Sequence, residues 1–365
     1  MKAIKDYFSE YDIKQFSNRF LEVSASFNQS DFLKLATNNL PLKEYRERVE
    51  QAADALIYVY NNRFKDLYSD AHGVLKIWVT EEKDLNKDFS VEILSKCVEK
   101  YGLDHPKLSF KLMEDLTQIF TAEFCIRPFV DCHFQTLRPF LVKWKKSKNH
   151  HWRRLVSEGL RPNLPWGKAL AKHKKEPLFS IPWLEGLSND DSEYVRRSVA
   201  NHLNDFGKSH PEEVLSLIKK WEGNKPSLIS EKDKRHALRG LIKAGNAGAL
   251  ELVGVFPFKG LVELDLPNKE VALGESLDLN LLFQSQKEQQ VEVDMVLDLP
   301  AKNPNKRRQL TWKGFKKQLP SCTYSHQLKL PLKPVSTRQY YPGNYFVKIQ
   351  VNGEIITEAE FQLKL

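Results

Sequence analysis

Two stretches decide the fold: Trp152-Arg153-Arg154-Leu155-Val156-Ser157-Glu158-Gly159-Leu160 and Val195-Arg196-Arg197-Ser198-Val199-Ala200-Asn201-His202-Leu203. At a spacing of 43 residues they share Arg-Arg, Val and Leu in register, and Arg235-His236-Ala237-Leu238 repeats the pattern more faintly 39 residues after Arg196. A period near 40 with paired helices is the signature of HEAT or armadillo arrays, in which each pair buries its apolar face only against its neighbours. Such arrays curve, and basic residues at one register of successive repeats line the concave face with positive charge, a track for phosphates.

Outward from this core, residues 1 to about 252 read as helices. Val49, Ala53, Leu56 and Tyr60 form one apolar stripe, and Leu112, Leu116 and Ile119 another. The next position on that second face is Glu123, a carboxylate where the pattern expects a hydrophobe. Past Gly254 the period falls to two, as in Val262-Glu263-Leu264-Asp265-Leu266 and Val291-Glu292-Val293-Asp294-Met295, which means strands with one buried face. About seven such runs fill the last hundred-odd residues, the density of an Ig-like sandwich. The expectation is a multidomain α and β chain: an all-α HEAT-like repeat solenoid over 1–254, binding DNA and carrying the chemistry, then an Ig-like β-sandwich over 258–365. Cys322 is the only cysteine in the sandwich, so the inter-sheet disulfide of antibody domains is absent.

The chain has 365 residues, 28% of them charged and 11% aromatic, enough to bury two cores without metals or disulfides. Its first ten residues are broken by charge before any apolar leader forms, and no stretch reaches the ~20 apolar residues of a membrane span. A cytoplasmic, nucleoid-associated monomer is expected. Four irregularly spaced cysteines without a CxxC pair argue against a disulfide framework and a zinc ribbon. Cys125, Asp131, Cys132 and His133 cluster but lack a second half, so no metal is assigned and no cofactor is expected.

The net charge of +9 is concentrated between Lys143 and Lys175, where eleven basic residues face a single acid, Glu158. A one-signed stripe interleaved with Trp144, Trp152 and Trp166 points to nucleic acid; a basic surface without a ligand, or one touching acidic lipid, is the alternative. Pro162 and Pro165 interrupt the stretch and weaken the lipid reading.

A carboxylate facing DNA is repelled by phosphate, so Glu158 is a cost there unless it orders an arginine or stabilises a cation. Arg154, four residues earlier, offers an ordinary helix pair. Glu123 has its own bland reading as a partly buried, satisfied carboxylate, and Trp166 as packing. Two carboxylates and an aromatic, without a nucleophile or metal motif, suit hydrolysis of an N-glycosidic bond to a cationic alkylated base. Such a base departs neutral without a general acid, and a carboxylate stabilises the oxocarbenium-like sugar and orients water. No GxSxG, P-loop or GxGxxG motif stands where a serine hydrolase, nucleotide-binding or Rossmann reading needs it.

Ser157-Glu158-Gly159-Leu160-Arg161-Pro162-Asn163-Leu164-Pro165-Trp166, Ser192 to Asp205 and His210-Pro211 together resemble the AlkC branch of the AlkC/AlkD DNA alkylation repair glycosylases. The helical resemblance covers residues 1 to about 250, and the sandwich is similar to the Ig-like domain that part of that branch carries. The resemblance implies a HEAT-like cradle for duplex DNA, no cofactor, and excision of 3-methyladenine and related bases without full extrusion. It implies Glu123 and Glu158 as the carboxylates beside the sugar and Trp166 as the aromatic contact. Phosphate contacts are expected from Arg153, Arg154, Arg161, Lys168, Arg196 and Arg197, and from the sandwich loop Lys306, Arg307 and Arg308, which would clamp the duplex. A non-catalytic nucleic-acid scaffold and an adaptor for an acidic protein are the competing classes.

Overall fold

Side-chain caps and prolines punctuate the first 250 residues into helices. Ser9 closes a capping box with Asp12 at the start of Glu10–Val23, Pro106 opens Pro106–Ile119, and Asn149 and Asn246 accept from backbone N–H groups at the starts of His150–Gly159 and Ala247–Leu252. The computed structural model describes residues 4–81, 89–303, 305–335 and 338–364. Among them, no helix is long and apolar enough to cross a membrane.

Helices two apart in the chain pack together: Tyr45–Val59 on Glu92–Tyr101, Phe64–Glu81 on Pro106–Ile119, and that helix on Phe134–Lys145. This is the stacking of a HEAT-like array. The two quoted stretches occupy His150–Gly159 and Glu193–Gly207, which pack directly on each other. Their first arginines play one repeated part. Arg153 donates from Nε and Nη2 to Asp190 at 2.6 and 2.8 Å, and from Nη1 to the carbonyls of Ser147 and Lys148. One repeat on, Arg196 donates to Asp233 at 3.0 Å and to the carbonyls of Asp190 and Asp191. Each therefore clips its helix to the loop before it and to an acid supplied by a later segment.

The chain forms two compact units, Met1–His210 with Lys225–Asp233, and Pro211–Asn224 with Lys234–Leu365. The helix-to-strand change falls between Leu252 and Gly260, whereas the second unit also takes in helices Pro211–Glu222 and Ala247–Leu252. Within that unit Asn352 Nδ2 donates to the Phe256 carbonyl at 2.7 Å. At Gly353, with φ +88°, a Cβ would lie 2.1 Å from Leu250 Cδ1, so only glycine permits this approach.

Among the described residues eight strands build the Ig-like sandwich: β1 Gly260–Asp265, β2 Glu270–Ala272, β3 Ser276–Ser285, β4 Gln289–Pro300, β5 Arg307–Leu319, β6 Thr323–Pro331, β7 Tyr345–Val351 and β8 Glu354–Lys364. One sheet runs β1-β3-β6 and the other β2-β8-β7-β4-β5. Leu277, Leu279, Leu281 and Phe283 of one sheet and Val293, Met295, Leu297, Val347 and Ile349 of the other fill the core between them. The strand unseen in the sequence is β2, three residues paired parallel to β8 and too short to show alternation. Tyr345 donates its hydroxyl to the Tyr341 carbonyl at 2.6 Å, the tyrosine corner of Ig-like sandwiches.

Candidate active site

Glu158 sits in the last turn of His150–Gly159 with 5% of its surface exposed. One carboxylate oxygen accepts from Arg161 Nη1 at 2.5 Å and the other from Ser198 Oγ at 2.5 Å; Ser198 stands on the next repeat's helix. Arg161 is itself held by Asp205 at 2.9 Å. A buried carboxylate with a cation and a hydroxyl donor on its two oxygens is fixed in place. The anticipated i,i+4 partner, Arg154, is farther away at 3.8 Å.

Arg154 instead turns to Glu123, with Nη2 2.8 Å from Oε2. The geometry is an ion pair without hydrogen-bond alignment, and among the described residues this buried oxygen has no hydrogen-bond donor. One guanidinium thus stands between the two carboxylates, its other face 4.5 Å from the Tyr194 ring centroid. Burial lowers the pKa of the Arg154 guanidinium, but Glu123 and Glu158 outweigh it and leave the group above its ordinary value. Glu123 is not on the helical face that its spacing suggested. Pro106–Ile119 has already ended, and Glu123 lies in the turn before Arg127–Cys132.

Trp166 is 77% exposed and sits at φ +63°, in the left-handed region. Gly167 N–H donates to the Leu164 carbonyl at 3.1 Å, closing a turn with Pro165 and Trp166 at its centre. The turn places a bulky residue where glycine or asparagine is favoured, at a cost of about 1–2 kcal/mol. Arg46 Nη2 holds the Trp166 carbonyl at 2.8 Å. Glu123, Glu158, Arg161, Trp166 and Lys168 line one cavity of about 1050 Å³, with Tyr45, Phe89 and Phe120 on its walls.

A structure of alkylpurine DNA glycosylase AlkC from Pseudomonas fluorescens, bound to DNA containing an abasic site analogue, is 31% identical to this chain. It covers 100% of both chains at a TM-score of 0.86. The chain belongs to the AlkC family. The Uncharacterized protein YhaZ of Bacillus subtilis (strain 168) is 32% identical over 367 residues, 100% of each chain. The family model described as Uncharacterised protein YhaZ, C-terminal Ig-like domain, matches residues 261–365.

In this AlkC-type chain the expected phosphate contacts divide by burial and pairing. Arg153 and Arg196 are the repeat clips, Arg154 stands between the carboxylates, and Arg161 is 6% exposed and bound to Glu158 and Asp205. All four are already paired with acids inside the protein. Lys168, with a 76% exposed side chain and Asp131 3.8 Å away, and exposed Arg197 face solvent. Among the described residues no hydrogen bond or ion pair holds Arg197. In the sandwich Arg307 is tied to Asp298 at 2.6 Å and to the carbonyls of Asp298 and Asn344, whereas Lys306 and Arg308 are exposed. The aromatic stripe also divides: Trp144 is fully buried and donates to Glu114 at 2.7 Å, half-buried Trp152 donates to the Glu114 carbonyl, and only Trp166 of the three is exposed.

Sequence reasoning missed Arg127, Ser198 and Asp205, which surround Glu158 and its loop. Asp205 lies within the quoted motif, but its contact with Arg161 spans 44 positions.

Proposed function

We propose that this AlkC-type chain is a monofunctional DNA glycosylase that hydrolyses the N-glycosidic bond of cationic alkylated bases, such as 3-methyladenine, in duplex DNA. The observation that carries this reading is the pair Glu123 and Glu158 on either side of Arg154, in one cavity with exposed Trp166. The similar AlkC structure, an alkylpurine DNA glycosylase bound to DNA containing an abasic site analogue, supports the same chemistry.

A cationic base needs no proton to depart, and the electron pair of the breaking bond neutralises it. Positive charge then develops on the sugar, and a fixed carboxylate stabilises that charge more than the ground state. Glu158, with both oxygens held, supplies the immobile charge. Glu123, which lines the same cavity, is placed to orient water and take its proton as it attacks the anomeric carbon. The exposed indole of Trp166 gives the cationic base or sugar a π face while the base stays against the duplex.

Lys168 and Arg197 contact phosphates, with Lys306 and Arg308 as contacts from the sandwich. Residues 1–254 bind DNA and carry the chemistry, with 258–365 as the adjunct domain, and the protein works as a cytoplasmic monomer on the nucleoid. The test is release of free 3-methyladenine from methylated duplex by purified protein under single-turnover conditions. DNA binding with no base released would leave a nucleic-acid scaffold in place of an enzyme.

A further inference from the structure

We propose that Arg127 is a positioning residue that ties the carboxylate-bearing helix to the loop carrying Trp166, and that this tie sets the rate of the chemical step. The inference rests on the glycosylase reading above. Arg127 begins the short helix Arg127–Cys132 and is 1% exposed. Its Nε donates to the Lys168 carbonyl, and its Nη1 to the Gly159 carbonyl at 3.4 Å. Gly159 directly follows Glu158, and Lys168 lies two residues after Trp166. One planar guanidinium therefore fastens the end of one functional segment to the end of the other.

The approach is built in. A Cβ on Gly159 would lie 2.8 Å from Ile126 Cγ2, so glycine at that position lets the segment bearing Arg127 close on the helix end. The arrangement is costly for stability alone. Among the described residues no carboxylate forms an ion pair with Arg127, and its buried Nη2 has no hydrogen-bond partner. Burial pushes the guanidinium down to about 10, so it remains charged at neutral pH. A buried cation with an idle donor lowers stability relative to an apolar side chain of similar size. Its return is geometric, because a loop with a strained turn keeps its aromatic in register with Glu158 only while something rigid spans both.

The test is a double-mutant cycle on the full chain, using Arg127→Met, Trp166→Ala and the double variant. Arg127→Met is expected to lower single-turnover excision about 30-fold while changing affinity for undamaged duplex by less than about three-fold. In the Trp166→Ala background the same change is expected to cost less than about three-fold, because the loop it fastens no longer carries the aromatic. Arg127→Lys, which keeps the charge and one carbonyl contact, is expected to lose about five-fold with the same coupling, and it takes over the test if the Met variant does not fold. Without DNA, trypsin is expected to cut after Lys168 at least ~10-fold faster in either variant than in the parent chain. Additive rate losses, or unchanged excision in a folded Arg127→Met variant, would overturn the proposal, and so would an unchanged tryptic rate. If the parent chain releases no base, the glycosylase reading fails separately, and the tryptic rate still judges the tie.

Discussion

Glu158 illustrates how a single residue can be conspicuous in a sequence while its reason is not. As the lone acid among eleven cations it stood out, yet what holds it in place are Arg161 and, from a segment 40 positions away, Ser198. Pairwise spacing suggested Arg154, and the fold gave that arginine chiefly to Glu123. Glu158→Gln removes the fixed charge and keeps the shape, so single-turnover excision is expected to fall about 100-fold or more with duplex affinity within a few fold. Gel-shift titration and quenched-flow base release read the two quantities separately; equal losses in both would mean that Glu158 is only structural. Arg196 and Arg197, adjacent in sequence, are expected to part company. Arg197→Ala weakens binding to damaged and undamaged duplex alike and lowers the salt slope by about one. Arg196→Ala breaks the clip to Asp233 and lowers unfolding stability by about 2–3 kcal/mol, measured by denaturant titration, with little change in the salt slope.

The repeated helices were legible as elements because their apolar spacing and internal register survive in one dimension. The strands were legible because alternation is equally local. What failed were elements without a period: the three residues of β2, and the turn that takes Glu123 off the helix ending at Ile119. The contact between His150–Gly159 and Glu193–Gly207 shows a further limit. His202 is wholly buried and, placed against the Ser157 carbonyl at 2.9 Å, must donate through Nδ1. Its Nε2 has no partner among the described residues, and burial holds the ring well below its ordinary value of 6.5. A depressed folded value means that the unfolded chain binds the proton first. The contribution of His202 is therefore fully present above pH 6.5 and is lost as the pH falls below it. His173 and His151, lowered to about 4 chiefly by burial, act in the same sense between pH 6.5 and 4. Unfolding free energy is expected to drop across that window, and His202→Asn to reduce the slope by up to about 1.4 kcal/mol per pH unit. A slope identical in the variant would show that His202 takes no part.

At the scale of the whole chain, the change from helix to strand and the division into compact units do not coincide. The sequence shows the first sharply because periodicity changes there. It shows nothing of the second, which depends on Leu250 meeting Gly353 and Phe256 meeting Asn352 across about a hundred positions. A chain truncated after Gly254 would strip helices Pro211–Glu222 and Ala247–Leu252 of the partners with which they form one unit. The unit containing Glu123, Glu158 and Trp166 keeps its own core. Hydrogen exchange on the truncated chain is accordingly expected to show lost protection concentrated in residues 211–224 and 234–252, with near-native protection in the helices before His210. In the full chain, Lys306→Ala with Arg308→Ala leaves the Arg307–Asp298 pair intact and is expected to weaken duplex binding without altering the sandwich's melting temperature. Arg307→Ala is expected to do the reverse, because Arg307 is spent on Asp298 and Asn344. If the double variant binds duplex DNA as tightly as the parent across a salt series, the sandwich makes no phosphate contact through this loop. A loss of excision on truncation would then come through the helices it helps to hold.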